Sequence, residues 1–228
     1  MLHEGLGSVA LWRDFPDQVA AQTQCPVLVW SRAGYGKSDP VSLPRPLSYM
    51  HDEATQVLPQ IIALLEGRSH MLLGHSDGAS IALIHAGRCP QPGLKGLVLM
   101  APHVFVEDIS IEGIEAAREA WHNGGLRDRL ARHHGVNVDC AFLGWNGAWL
   151  DPGFRSWNLE EFLPSITVPS LLIQGREDEY GTLAQIDAIA AGAAGAVSTC
   201  ILDECGHSPQ KDQTAAVLDA VSAFMTEL

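Results

Sequence analysis

The stretch Met71-Leu72-Leu73-Gly74-His75-Ser76-Asp77-Gly78-Ala79 decides how this chain is built. Its apolar start predicts a buried strand over His70–Gly74. The run Ala79–Ala86 behind it predicts a helix, which we extend over Asp77–Arg88. Between them lies Gly-x-Ser-x-Gly, a spacing suited to a sharp strand-to-helix turn. The glycines let neighbouring backbone approach closely, and the serine is pushed into a strained conformation with its hydroxyl exposed. A helix N-terminus at that point favours the negative charge that develops in acyl transfer. Ser76 is therefore the candidate nucleophile. The competing reading, a plain glycine-rich turn, does not account for the strand before it and the helix after it.

Working outward, short apolar runs alternate with helical stretches, the pattern of a mainly parallel sheet covered by helices. The expected strands are Pro26–Trp30, His70–Gly74, Gly96–Ala101, Pro169–Gln174 and Val197–Leu202. The expected helices are Trp12–Thr23, Tyr49–Glu66, Asp77–Arg88, Thr182–Ala191 and Gln213–Glu227, with Pro59 kinking or dividing the second. The stretch His103–Ser165 is too long for an ordinary connection. It holds Trp121, Trp145, Trp149 and Trp157, four of the six tryptophans. We expect an α/β core over 1–102 and 166–228, with a helical lid over 103–165. Single tryptophans usually serve a core. The cluster as a whole suggests an apolar roof over a substrate, with Trp145 and Trp149 as the binding candidates.

A serine hydroxyl needs a base. Among ten histidines, His207 in Gly206-His207-Ser208-Pro209 is the best placed, one short loop beyond a strand. His75 is expected to pack beneath the turn, His133 and His134 to be solvated or structural, His70 to begin a strand and His85 to lie on a helix. The base in turn needs an orienting carboxylate. Asp178 follows the strand ending near Gln174 and so lies at the same sheet end. Its neighbours Glu177 and Glu179 leave the assignment open by one position, and Asp108 is the runner-up. An oxyanion requires two donors. The backbone N–H of Asp77 is one candidate. Gly5, in the loop His3-Glu4-Gly5-Leu6-Gly7-Ser8, is the other.

The totals limit the alternatives. The chain has 228 residues, 46% hydrophobic and 18% charged, with a formal net charge of −13. That balance argues against nucleic acid and anionic membrane surfaces as partners, and no apolar run reaches the roughly 18 residues of a membrane span. Five cysteines without a Cys-x-x-Cys pair read as free thiols in a cytoplasmic protein. The expected partner is a small-molecule substrate, with a homodimer left open. Gly36-Lys37-Ser38 resembles the end of a phosphate loop, but Ser31 stands where that pattern demands glycine. No metal-ligand spacing is present. No cofactor is expected.

Taken together, five motifs resemble the α/β-hydrolase superfamily over nearly the whole chain. They are His3–Ser8, Ser31-Arg32-Ala33-Gly34-Tyr35-Gly36-Lys37-Ser38-Asp39, the turn at Ser76, Gly175-x-x-Asp178 and Gly206-His207-Ser208-Pro209. The resemblance implies a Ser76-Asp178-His207 triad, a lid inserted after the sixth strand, and hydrolysis of esters, lactones, thioesters or activated C–C bonds without a cofactor. Its alternatives are a lyase or synthase on the same fold, or a ligand receptor with a slow triad. The chain departs from the family in two places. Glu4 replaces a usual glycine, and we expect its carboxylate to face away from the oxyanion. The family's N-terminal strands are also missing: the strand carrying the oxyanion loop is reduced to Met1-Leu2, between the strands matching Pro26–Trp30 and His70–Gly74. Unpaired buried backbone is costly, so the reading expects a shortened chain or reduced stability.

Overall fold

A computed structural model describes residues 1–89 and 93–228. A single turn of 3-10 helix, Val9–Trp12, precedes helix α1 (Phe15–Thr23). Arg13, at φ 53°, separates the two, so the expected helix Trp12–Thr23 is divided near its start. Helix α2 (Tyr49–Asp52) runs through a π-helical turn, Glu53–Val57, into α3 (Leu58–Ala63). Pro59 has no N–H to offer the preceding turn. The wider π turn directly upstream accommodates that gap, which is how the expected division at Pro59 is realised.

The sheet follows in sequence order. Strand β1 (His70–His75) leads through Ser76 into α4 (Asp77–Arg88) and then β2 (Leu94–Met100). Helices α5 (Asp108–Asn123), α6 (Leu126–His134) and α7 (Val138–Trp149) occupy the long interval before β3 (Ser170–Gly175). Helix α8 (Ala184–Gly192), strand β4 (Val197–Leu202), the short α9 (Pro209–Asp212) and α10 (Thr214–Thr226) complete the chain. The four strands form one parallel sheet in the order β1-β2-β3-β4. Register aligns Gly74 with Leu99 and Leu172 with Thr199.

Alternation along these strands makes two cores. Leu72, Leu97, Leu99 and Leu172 face α4, α8 and the inserted helices. Leu73, Val98, Met100, Leu171 and Ile173 face the other way, onto Phe15 and Val19 of α1 and Val217, Val221 and Phe224 of α10. The stripe expected on the last helix is the one that packs.

One expected strand does not form. Pro26–Trp30 belongs to no ladder. The chain beside it is Met1-Leu2, whose amino group donates to the Leu28 carbonyl at 2.7 Å. Leu2 then turns to β1: its N–H donates to Leu73 O at 2.8 Å and its carbonyl accepts from His75 N–H at 3.1 Å. That gives one parallel bridge, Leu2 to Gly74. A ladder needs several consecutive pairs, and two residues provide only one. Leu2 is nonetheless 2% exposed, so this single residue seals the edge of the core.

Candidate active site

Every β strand ends at the same edge of the sheet, and each delivers a residue there. After β1, Ser76 adopts φ 53°, ψ −119°, a backbone conformation that L residues rarely hold. The flanking glycines explain how it is held. A Cβ on Gly74 would collide with the carbonyl of Gly78, and one on Gly78 with the carbonyl of Leu2. The turn therefore closes only with hydrogen at both positions.

Asp178 follows β3 and His207 follows β4. His207 Nε2 lies 2.9 Å from Ser76 Oγ, and its Nδ1 lies 2.8 Å and 2.9 Å from the two Asp178 oxygens. A carboxylate can only accept, so Nδ1 carries the proton and Nε2 turns its lone pair to the serine hydroxyl. Asp178 also accepts the N–H groups of Tyr180 at 2.8 Å and Gly181 at 3.3 Å, and the Gln174 amide at 2.8 Å. The flanking acids go elsewhere: Glu177 accepts the Cys205 N–H and Glu179 the His207 N–H. Asp108 opens α5 and pairs with Arg155. Of the four carboxylates considered, Asp178 is the one that reaches the imidazole.

Burial pulls the His207 imidazole downward, but the charge of Asp178 and its hydrogen bond outweigh that and raise its pKa above 6.5. Burial likewise pushes the Asp178 carboxyl upward. The His207 charge, its hydrogen bond and the Tyr180 N–H reverse this, leaving Asp178 below its ordinary value.

Beneath the turn, His75 is fully buried. Its Nε2 donates to the His207 carbonyl at 2.6 Å, and its Nδ1 lies 3.1 Å from the Gln210 amide. Its packing role is the expected one. His134 is buried too, and links α6 to Gly36 N–H at 3.0 Å and to the Leu6 carbonyl at 2.9 Å. Glu4 does not simply face away. It lines the cavity over Ser76, and its carboxylate lies 3.5 Å from His75 Nδ1 and 3.8 Å from Lys211 Nζ. Burial alone would raise its pKa. The hydrogen bond and charge of His75, with Lys211, hold it well below the usual carboxylate range.

The cavity measures about 230 Å³. Gly5, Leu6, His103, Trp145, Trp149 and Tyr180 enclose it together with Ser76 and His207. A Cβ on Gly5 would strike the Trp145 indole, so the loop passes directly beneath that ring. Asp77 opens α4, immediately after the serine. Gly5 and Asp77, the residues expected to offer oxyanion donors, thus both lie next to Ser76, and Trp145 and Trp149 are in the wall. Trp121 and Trp157 instead stack on Phe142 and Phe154 as core.

Several residues of the site had no role in the sequence reading. Arg32, 2% exposed, donates to the carbonyls of His3 at 2.6 Å and Glu4 at 3.0 Å, which fastens the Gly5 loop. It also lies 3.9 Å from the Asp77 carboxylate. Its signal was its place in the Arg-x-Gly-x-Gly motif. His103 follows β2 at the active edge, so its position was a signal as well. Tyr49 carried none: it is 28 positions from Asp77, whose carboxylate it meets at 2.6 Å.

Comparison with known proteins agrees with this architecture. A curated-sequence search gives no match. Among solved structures, an esterase from Exiguobacterium antarcticum is similar at TM-score 0.75 and 19% identity, covering 99% of this chain and 90% of that one. A hydrolase from Pseudomonas aeruginosa PA01 is similar at TM-score 0.73 and 22% identity, covering 98% and 88%. Est816, described as an N-acyl homoserine lactone degrading enzyme, is similar at TM-score 0.70 and 20% identity, covering 98% and 91%. At these identities the likeness speaks for the fold. The sequence profile of the Alpha/beta hydrolase family matches residues 1–220, and with that match over nearly its whole length this chain is a hydrolase belonging to the alpha/beta hydrolase family.

Proposed function

We propose that the protein is a serine hydrolase of small carboxylic esters or lactones, working through an acyl-enzyme. The observation that carries this reading is the relay from Ser76 Oγ to His207 Nε2 to Asp178, at 2.9 Å and 2.8 Å, on the floor of an aromatic cavity. His207 takes the Ser76 proton as the hydroxyl attacks the carbonyl carbon. The developing oxyanion is held by the N–H groups of Gly5 and Asp77. His207 then gives its proton to the leaving alcohol. In the second half, it deprotonates a water that attacks the acyl-enzyme, and the acid departs. Asp178 keeps the imidazole in the required tautomer and stabilises its charged form.

In this reading 103–165 acts as a lid whose tryptophans favour an apolar acyl or alcohol group. We place the protein in the cytoplasm, in keeping with its five free cysteines. Among the described residues, no helix is long and apolar enough to cross a membrane.

The direct test is turnover of a chromogenic acetate ester by Ser76→Ala. Activity should fall by about 10³-fold or more while the melting temperature stays close to that of the wild type. Retained turnover would remove Ser76 as the nucleophile.

A further inference from the structure

Trp149 borders two cavities. One is the cavity over Ser76; the other, of about 290 Å³, is lined by Ile111, Glu115, Arg118, Asp151 and Arg155 as well as Trp149. Helix α5 passes along both, with Ser110 and Ile114 on the first and Ile111 and Glu115 on the second. The indole is therefore the shared wall between a small chamber at the nucleophile and a second space, whose lining also includes Leu150 and Pro152.

That wall is fastened in place. The Trp149 indole N–H is shared between Tyr49 Oη at 3.1 Å and Asp77 Oδ1 at 3.3 Å. The Tyr49 hydroxyl donates to the other Asp77 oxygen at 2.6 Å. Asp77 is fully buried and Tyr49 is 3% exposed, so removing the indole donor or the phenol would strip the buried carboxylate of one of its bonds. The ring faces are held as well, edge-on against Phe154 at 5.0 Å and against His103 at 5.5 Å. Phenylalanine would fill nearly the same space but would offer no donor to this carboxylate. The residue after the nucleophile thus uses its side chain to orient a ring of α7, separately from any role of its N–H.

We propose that Trp149 is a partition, latched to the nucleophile turn by Asp77 and Tyr49, that limits the substrate to short apolar arms by closing off the second cavity. The proposal rests on the ester-hydrolase reading and deepens it to a substrate class. The chamber is small for a ligand site, where about 300–1,000 Å³ is usual. Opening the wall would join two spaces of about 230 and about 290 Å³ and roughly double the room available.

The test compares kcat/KM on two ester series, para-nitrophenyl acetate against octanoate and ethyl acetate against octyl acetate. It uses the wild type, Trp149→Ala, Tyr49→Phe and the double variant Trp149→Ala/Ile111→Trp. The long-to-short ratio should rise at least about tenfold in one series for Trp149→Ala. Tyr49→Phe, which loosens the latch but keeps the ring, should raise it severalfold. Ile111→Trp, refilling the second cavity, should bring it back towards wild type. Unchanged ratios in Trp149→Ala overturn the partition. If that variant does not fold, unchanged ratios in Tyr49→Phe overturn it instead. Binding of octanamide to Ser76→Ala and to Ser76→Ala/Trp149→Ala, followed by calorimetry, reads the partition without turnover. Binding at least about tenfold tighter to the double variant supports the partition even if the wild type hydrolyses neither series, an outcome that rejects only the hydrolase reading. Equal binding overturns the partition.

Discussion

At the residue scale, the proposed chemistry depends on which nitrogen of His207 carries the proton. Its Nδ1 faces a carboxylate that can only accept, so Nε2 is the nitrogen free to act as the proposed base, and only in the neutral ring. Burial lowers the imidazole pKa, whereas Asp178 raises it above 6.5. The acid limb of kcat/KM should therefore lie above the ordinary histidine value, because activity appears as the ring loses its proton. In Asp178→Asn the largest raising influence is gone and burial remains, so the limb moves to lower pH. The amide also fails to enforce the tautomer, and kcat falls by about 10⁴. A pH profile of both forms on one neutral ester checks both effects. An unmoved limb would mean that Asp178 is not the electrostatic partner of the base. The meeting of Ser76, Asp178 and His207 at one sheet edge was legible in the sequence because each follows a predicted strand, at once or after a short loop; their catalytic roles belong to the proposed mechanism. Tyr49 was not legible. Its contact with Asp77 depends on how a π-helical turn aims α2, and no local spacing records that aim.

At the element scale, four of the five expected strands form, and the exception is instructive. Pro26–Trp30 has the composition of a strand, but composition expresses a fit to a pleated surface and cannot supply a partner. Where pairing residues exist, as for Val197–Leu202 beside β3, the expected limits and the observed ones coincide. Where only Met1-Leu2 is present, a single bridge forms. Side-chain bonds do much of the work that a ladder would otherwise do at this edge. Arg32 is the main fastening: its guanidinium holds the His3 and Glu4 carbonyls, and its backbone N–H donates to His3 Nε2 at 3.1 Å. Burial opposes its charge, but the carboxylates of Asp77 and Glu53 are among the groups that offset this. Lysine is a point donor and cannot span two carbonyls as the planar fork does. Arg32→Lys should therefore free the Gly5 loop, lowering kcat on a small ester about tenfold or more with a smaller change in KM, as expected when a transition-state donor is misplaced. Steady-state kinetics separate the two parameters. A loss confined to KM would show that Arg32 serves substrate binding and not the Gly5 loop proposed to hold the oxyanion.

At the scale of the whole molecule, the acidic balance noted in the sequence acquires a location. The formal net charge is −13, from 27 acidic and 14 basic residues. Two of the acids, Glu4 and Glu179, border the cavity over Ser76, and among the described residues no lysine or arginine does. Glu4 stays ionised at neutral pH because His75 and Lys211 hold its carboxyl far below the ordinary range. His103 adds no compensating charge, since burial and the neighbouring His207 keep its pKa below 6.5. Lys211, 3.8 Å from Glu4, offsets the Glu4 charge, so Glu179 is the carboxylate expected to repel an anionic ester before contact. Salt shortens the reach of that repulsion from about 30 Å at 0.01 M to about 3 Å at 1 M. Raising ionic strength over that range should increase kcat/KM for a carboxylate-bearing ester by about threefold or more, while a neutral ester of matched size changes little. Glu179→Gln should reduce the salt response of the anionic ester without altering the neutral one's insensitivity to salt. Parallel salt titrations on the two esters measure this. Identical responses would place the relevant charges away from the cavity and leave the acidity of the chain as a matter of solubility alone.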